Sequence, residues 1–237
     1  MGRNFNAAAY RIRERVFRRV VNSLEINPHN CEVLDVGSGT GFYLGIWKDY
    51  RVKSLTGSDL AERALKIIRD KYPDVRQIQL DIGDRQAPIE KNSYDLISAM
   101  DVLYHIVDDE RYAQAFKNAY QMLRRDGHLI FSENFLHRSA LAGQHCVSRT
   151  KADIEKIVQA SGLRIVKRVP LLVIMDNPAE SRNPLLKLHW RLVTSVVWRS
   201  ELIGGIWGFI LSCLDGVLTG VLKESPSLEL MVCRKVN

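Results

Sequence analysis

Cysteine is scarce and scattered. Cys31, Cys146, Cys213 and Cys233 are the only four in 237 residues, with no C-x-x-C pair among them. That excludes reading a disulfide framework or a zinc ribbon from spacing, and it fits a reducing, cytoplasmic compartment. No His/Cys/carboxylate cluster stands out, so no metal is expected. The first twenty residues lack a continuous apolar run, and no secretory leader is expected at this end. Low-complexity tracts and internal repeats are missing. Acids are outnumbered: 27 Asp and Glu against 34 Lys and Arg leave a formal net charge of +7. That sign admits nucleic acid, an anionic membrane or an acidic small molecule as partner. No nucleic-acid-binding module and no basic stripe interleaved with aromatics is visible, which weighs against nucleic acid. Much of the charge sits in Arg11, Arg13, Arg15, Arg18 and Arg19, which read first as the solvated face of one helix.

What is present reads as a globular chain. Hydrophobic residues make up 46% and charged residues 26%, enough to bury a full core, and the length suits one domain over 1–237. Ile12, Val16, Phe17, Val20, Val21 and Leu24 recur at helical spacing and predict an N-terminal helix over 10–25. From Glu32 onward β-rich runs and helical patterns alternate. Strands are expected near 32–36, 52–58, 76–80, 94–100, 127–133, 163–170 and 228–234, with helices near 41–49, 61–71, 109–124 and 150–161. Alternation of this kind predicts an α/β fold with a doubly wound, mostly parallel sheet of seven strands. It breaks after Pro170. A turn-rich stretch from Asp176 to Pro184 leads into two helices, so 176–224 is a helical insertion before the last strand.

The chemistry concentrates at Val33-Leu34-Asp35-Val36-Gly37-Ser38-Gly39-Thr40-Gly41. Glycines at this strand-to-helix turn permit a tight bend and let a ligand approach bare backbone. A G-x-G-x-x-G spacing would suit a dinucleotide pyrophosphate. Here the spacing is G-x-G-x-G with an acid two residues before it. Asp35 suits a ligand end that carries an ammonium group as well as a carboxylate, as the aminoacyl end of S-adenosylmethionine does. Asp59, ending the second strand, has two acceptor oxygens for a ribose diol. Asp81, ending the third, can accept from an adenine amino group. All three lie at carboxyl ends of consecutive strands, where open α/β sheets bind ligands.

On these segments the chain resembles the class I S-adenosylmethionine-dependent methyltransferases, especially their small-molecule branch. The resemblance runs from Val33 to Val169, with Ser227 to Arg234 similar to the family's final strand. It is carried by Val33 to Gly41, Gly57-Ser58-Asp59-Leu60, Leu80-Asp81-Ile82, Tyr94-Asp95-Leu96-Ile97, Val102 to Ile106 and Leu123 to Leu129. Ser38 stands where cysteine or alanine is common, and His128 replaces a usual glycine. The resemblance implies strand order 3-2-1-4-5-7-6, with the helical insertion between the last two strands. It also implies S-adenosyl-L-methionine held by Asp35, Asp59 and Asp81. The turn residues Gly37, Ser38, Gly39 and Gly41 and the neighbouring Leu60, Ile82 and Met100 complete the expected cofactor site, with Tyr10, Tyr43 and Trp47 as candidate covers.

Methyl transfer from a sulfonium is an in-line displacement, so a site must align the acceptor in a dry pocket and take a proton where one is released. His105, just after the fourth strand, is the candidate base, because its ordinary pKa lies near neutrality. Glu133, at the end of the fifth, is the alternative catalytic or acceptor-orienting group. No N-P-P-Y or D-P-P-Y follows the fourth strand, which weighs against base or amide nitrogen as acceptor. The expected acceptor is therefore a small molecule, a sugar or a lipid-linked group, methylated at oxygen. RNA or protein methylation, or a non-catalytic cofactor-binding scaffold, is the alternative. Within the insertion, Leu202 to Leu222 is nearly apolar. It is expected to cap the acceptor pocket. A homodimer interface, or peripheral membrane contact through 185–222 aided by Trp190, Arg191, Trp198 and Arg199, is the other reading.

Overall fold

A computed structural model describes residues 2–143, 145–179, 181–197 and 200–236, the side chain of Val196 excepted. Trp198 and Arg199, expected to help a membrane contact, lie outside the described residues. In chain order the elements are α1 (Arg3–Asn22), β1 (Glu32–Val36), α2 (Phe42–Asp49), β2 (Ser54–Asp59), α3 (Glu62–Lys71), β3 (Arg76–Gln79), β4 (Tyr94–Ala99), α4 (Asp109–Met122) and β5 (Leu123–Glu133). There follow β6 (Leu141–Ala142), β7 (Val147–Ser148), α5 (Lys151–Ala160), β8 (Leu163–Leu172), α6 (Pro184–Val197), α7 (Glu201–Val221) and β9 (Leu228–Lys235). Seven strands form one sheet in the order β3-β2-β1-β4-β5-β9-β8, and β6 and β7 make a separate two-stranded ribbon. Setting that ribbon aside, the order is the expected 3-2-1-4-5-7-6. β1 pairs in parallel with β2 and β4, β2 with β3, and β4 with β5.

Two compact units are distinguished along the chain, where one domain over 1–237 was expected. The larger comprises Ile26–Glu133, Arg138–Lys167 and Met231–Asn237; the smaller comprises Met1–Glu25, Asn134–His137 and Arg168–Leu230. In the larger unit the central strands are buried on both faces, as parallel strands covered by helices must be. Val33, Leu34, Leu96, Ile97, Ile130 and Phe131 are all within 1% of complete burial. Phe116 of α4 meets Phe131 of β5 edge-to-face at 5.2 Å, and Leu44, Leu65, Ile68 and Val75 form a second packed group. Asp108 caps α4 by accepting from the Arg111 amide at 2.8 Å, and Asp109 and Glu110 add acid to that first turn, which suits its partial positive charge.

In the smaller unit α1 and α7 pack along each other. α1 begins at Arg3 rather than near residue 10, because Phe5, Ala8 and Ala9 continue the buried stripe. Alanines carry little periodic signal, so the hydrophobic pattern of the sequence does not mark this first part of the helix. The small residues of α7 let α1 approach: a Cβ at Gly208 would lie 3.1 Å from Phe5 Cα and 3.2 Å from Ala8 Cβ. Asp215, fully buried on α7, accepts from the amides of Val173 and Ile174 at 3.1 and 2.9 Å. Arg168 forms ion pairs with Glu224 and Glu229.

Candidate active site

Three strand ends and one loop build the site, all within the larger unit. The turn after β1 runs through Gly37, Gly39 and Gly41 at φ +67°, +52° and +79°, a region costly for residues with a Cβ. A Cβ on Gly37 would collide with Val102, and one on Gly41 would stand 2.6 Å from the Tyr72 ring. Gly39 is different. Its added Cβ would meet nothing nearer than 3.9 Å, so its backbone faces open space that a ligand can fill. Ser38 ties the turn down: its amide donates to Ser58 O at 2.8 Å and its hydroxyl to Asp35 O at 2.9 Å.

Asp59 completes the loop from the neighbouring strand. Its Oδ2 accepts from the Gly39 amide at 3.0 Å and its Oδ1 from the Ala61 amide at 2.9 Å. Each carboxylate oxygen retains lone-pair capacity for a diol. Asp81 accepts from the Gly83 amide at 3.0 Å through Oδ1 and forms an ion pair with Arg111 of α4 through Oδ2. Beside them lies a cavity of about 400 Å³. Gly37, Asp59, Leu60, Asp81, Ile82 and His105 line it, as do Asp101, Val102, Val107 and Arg111. That volume falls within the range of small-molecule and cofactor pockets.

Several expected residues do not line the cavity. Asp35 is 2% exposed and lies beneath the loop, accepting from the Ser98 hydroxyl at 2.6 Å while Trp47 Nε1 donates to Ser98 at 2.9 Å. Burial pushes its carboxyl up from 3.8 to about 6, against the hydrogen bonds of Ser98 and Ser38, which hold it down. The group is thus mostly ionised at neutral pH and sits next to open backbone, as a partner for an ammonium should. Met100 is buried and does not line the cavity; Asp101 and Val102 do. Glu133 is fully buried and accepts from the Tyr112 hydroxyl at 3.1 Å, away from the cavity lining. A strand-end residue can point to either face, and here α4 takes it. Tyr10 is on α1 in the smaller unit, 42% exposed, with the Arg13 guanidinium 5.8 Å from its ring.

His105 is held in a definite way. Its Nδ1 lies 3.1 Å from the carbonyl oxygen of His145. A carbonyl only accepts, so Nδ1 carries the proton and Nε2 is the nitrogen left to receive one. Asp101 is a further residue of the cavity wall. Its backbone is left-handed at φ +60°, its amide donates to Ser132 Oγ at 2.7 Å, and that hydroxyl donates to its Oδ1 at 3.0 Å. Non-glycine residues held there are concentrated at functional sites. Arg149, 3% exposed, had no sequence signal at all. It stacks 3.8 Å from the Tyr112 ring centroid, pairs with Asp109, and donates to the carbonyls of Ile106 and Val107 at 2.9 and 3.3 Å, fixing one cavity wall.

Comparison with known proteins agrees with this geometry. Residues 34–131 match a family described as a methyltransferase domain. An S-adenosylmethionine-dependent methyltransferase from Mesorhizobium loti superposes with TM-score 0.57 at 16% identity, covering 91% of this chain and 96% of that one. The [4+2]-cyclase SpnF superposes with TM-score 0.58 at 17% identity, over 94% of this chain and 80% of its own; the fold alone does not dictate the chemistry. Among curated proteins, the chain is 34% identical over 113 residues to a tRNA U34 carboxymethyltransferase of Pseudoalteromonas atlantica, covering 44% of this chain and 34% of that protein. It is 31% identical over 113 residues to the mouse tRNA (carboxymethyluridine(34)-5-O)-methyltransferase ALKBH8, covering 47% of this chain and 16% of that one. The match thus spans 34% and 16% of these curated relatives' own length. They nevertheless correct one expectation. The lack of a recognisable nucleic-acid module weighed against a nucleic-acid partner, yet both relatives are named for acting on tRNA.

Proposed function

From the premise that the chain is a class I S-adenosylmethionine-dependent methyltransferase, we propose that its acceptor is an RNA nucleoside, methylated at oxygen. The observation that carries this reading is the similarity to two proteins named for transfer at uridine 34 of tRNA. The net charge of +7 supports it, since attraction to phosphate is the sequence-independent part of RNA binding.

When bound, S-adenosylmethionine supplies an electrophilic methyl on sulfur. Asp59 would hold the ribose hydroxyls with the lone pairs its backbone contacts leave over, and Asp81 would orient the adenine edge beside Ile82 and Leu60. Gly39 would leave side-chain volume to the aminoacyl end, and Asp35 below it would balance the ammonium charge. His105, with Nε2 as acceptor, takes the proton from an attacking hydroxyl. Arg149 and Asp101 hold the wall in which these groups sit.

Incubating the chain with methyl-labelled cofactor and total tRNA tests the acceptor. Label should enter a fraction that ribonuclease releases and protease does not, and binding should weaken about tenfold or more between 50 and 200 mM salt. Label appearing only in small solutes or lipid, with none in RNA, rejects the reading.

A further inference from the structure

We propose that the helices α6 and α7 form a docking surface for an anionic lipid bilayer, lying in the plane of its interface rather than crossing it. The proposal is independent of the acceptor. α7 has 21 residues, and its most apolar 18-residue window has a mean hydropathy of 1.7, yet only 33% of that window is buried. One side is occupied by α1, which Gly205, Gly208 and Gly216 meet at Asn4, Phe5 and Arg15. The other is bare: Leu202 is 73% exposed, Phe209 62% and Val217 65%. α6 adds Leu185, Leu188 and Leu192, each more than half exposed and spaced along one helical stripe. Apolar surface on this scale marks an interaction site.

Length alone would let α7 span a bilayer. Its lengthwise packing on α1 argues otherwise. A spanning α7 would carry the exposed Arg11, Arg15 and Arg19 of α1 into hydrocarbon, where charge is strongly disfavoured. Lying flat, the same arginines reach the headgroups while the leucines and phenylalanine enter the acyl boundary.

Charge identifies the occupant. From Pro184 to Val221 the sequence has two acids, Glu201 and Asp215. Glu201 accepts the amides of Arg3 and Asn4 at 2.9 and 3.1 Å, and Asp215 is fully buried on backbone amides. Lys187 and Arg191 of α6 are exposed. Among the described residues of this stretch the apolar face is therefore flanked by Lys187, Arg191 and the arginines of α1, and Glu201, tied to the first turn of α1, is its one exposed carboxylate; that excess of cations is the pattern that attracts anionic headgroups. Self-association through a two-fold axis would instead set two such basic rims against each other.

Sedimentation of the full chain with vesicles tests this. Recovery should be at least tenfold greater on vesicles with 30% phosphatidylglycerol than on phosphatidylcholine alone. The double variant L202Q/F209Q should lower binding at least tenfold, with S-adenosylmethionine affinity unchanged as the control for folding. Arg11→Gln should weaken binding to the anionic vesicles only. Equal absence from both vesicle types overturns the proposal. So does a stable dimer in solution that L202Q/F209Q converts to monomer, which would give the face to a second copy.

Discussion

Asp35 shows how far a single side chain can be read before its surroundings are known. Its place two residues before the glycine turn was legible, because the motif is local. Its burial was not, since Ser98, which holds it, is 63 residues away in sequence and adjacent only once β1 and β4 pair. With a carboxyl raised to about 6, the folded cofactor-free chain binds more protons at Asp35 than the unfolded chain does between about pH 4 and pH 6. Stability relative to an Asp35→Asn variant should therefore fall as pH rises through that window and stay level above it. The loss is on the order of 3 kcal/mol. Denaturant titrations of both chains at pH 4, 6 and 8 check this; a difference that does not change with pH rejects it. His105 makes a kinetic prediction. Its replacement by alanine should lower turnover about 100-fold, within the range of general-base contributions, while calorimetry shows cofactor affinity within a few-fold. Equal loss of both would place His105 in the cofactor pocket only.

Among elements, the β1–α2 turn separates two kinds of glycine. Gly37→Ala meets both a positive φ and Val102, whereas Gly39→Ala meets the φ alone. Thermal unfolding should show Gly37→Ala costing about 2–4 kcal/mol and Gly39→Ala about 1–2 kcal/mol. Cofactor binding should fall for both, since the Gly39 side chain would enter the ligand's space. Comparable stability losses would show that Val102 yields. On α7, Asp215→Ala should cost about 2–4 kcal/mol, because the amides of Val173 and Ile174 would be left buried without an acceptor. Chemical denaturation measures it directly. The strands and helices of the sheet were legible because their hydrophobic periods are strong and their caps local. The ribbon β6–β7 was not, having two residues per strand and no alternation to read. Glu133 was misplaced for a related reason: sequence locates the end of β5 but not which way its last side chain turns.

For the whole molecule, strand order and cofactor class were readable from one loop and two strand-end acids, because a parallel sheet brings its carboxyl ends together whatever the intervening helices contain. The acceptor was less readable. It is chosen by surfaces outside that motif, and the sequence pointed to small or lipid-linked molecules where the relatives point to tRNA. Arg149 and the left-handed Asp101 belong to the same class of feature, set by contacts 31 to 43 residues apart. The central proposal is that Asp59 and the glycine turn hold S-adenosylmethionine. Isothermal calorimetry on the wild-type chain and Asp59→Ala measures it most directly. The wild type should bind S-adenosylmethionine and S-adenosylhomocysteine at one site and show no heat with NAD, and Asp59→Ala should lose about 1–3 kcal/mol of that affinity with its fold intact. Undiminished binding by folded Asp59→Ala, or NAD binding by the wild type, would contradict it.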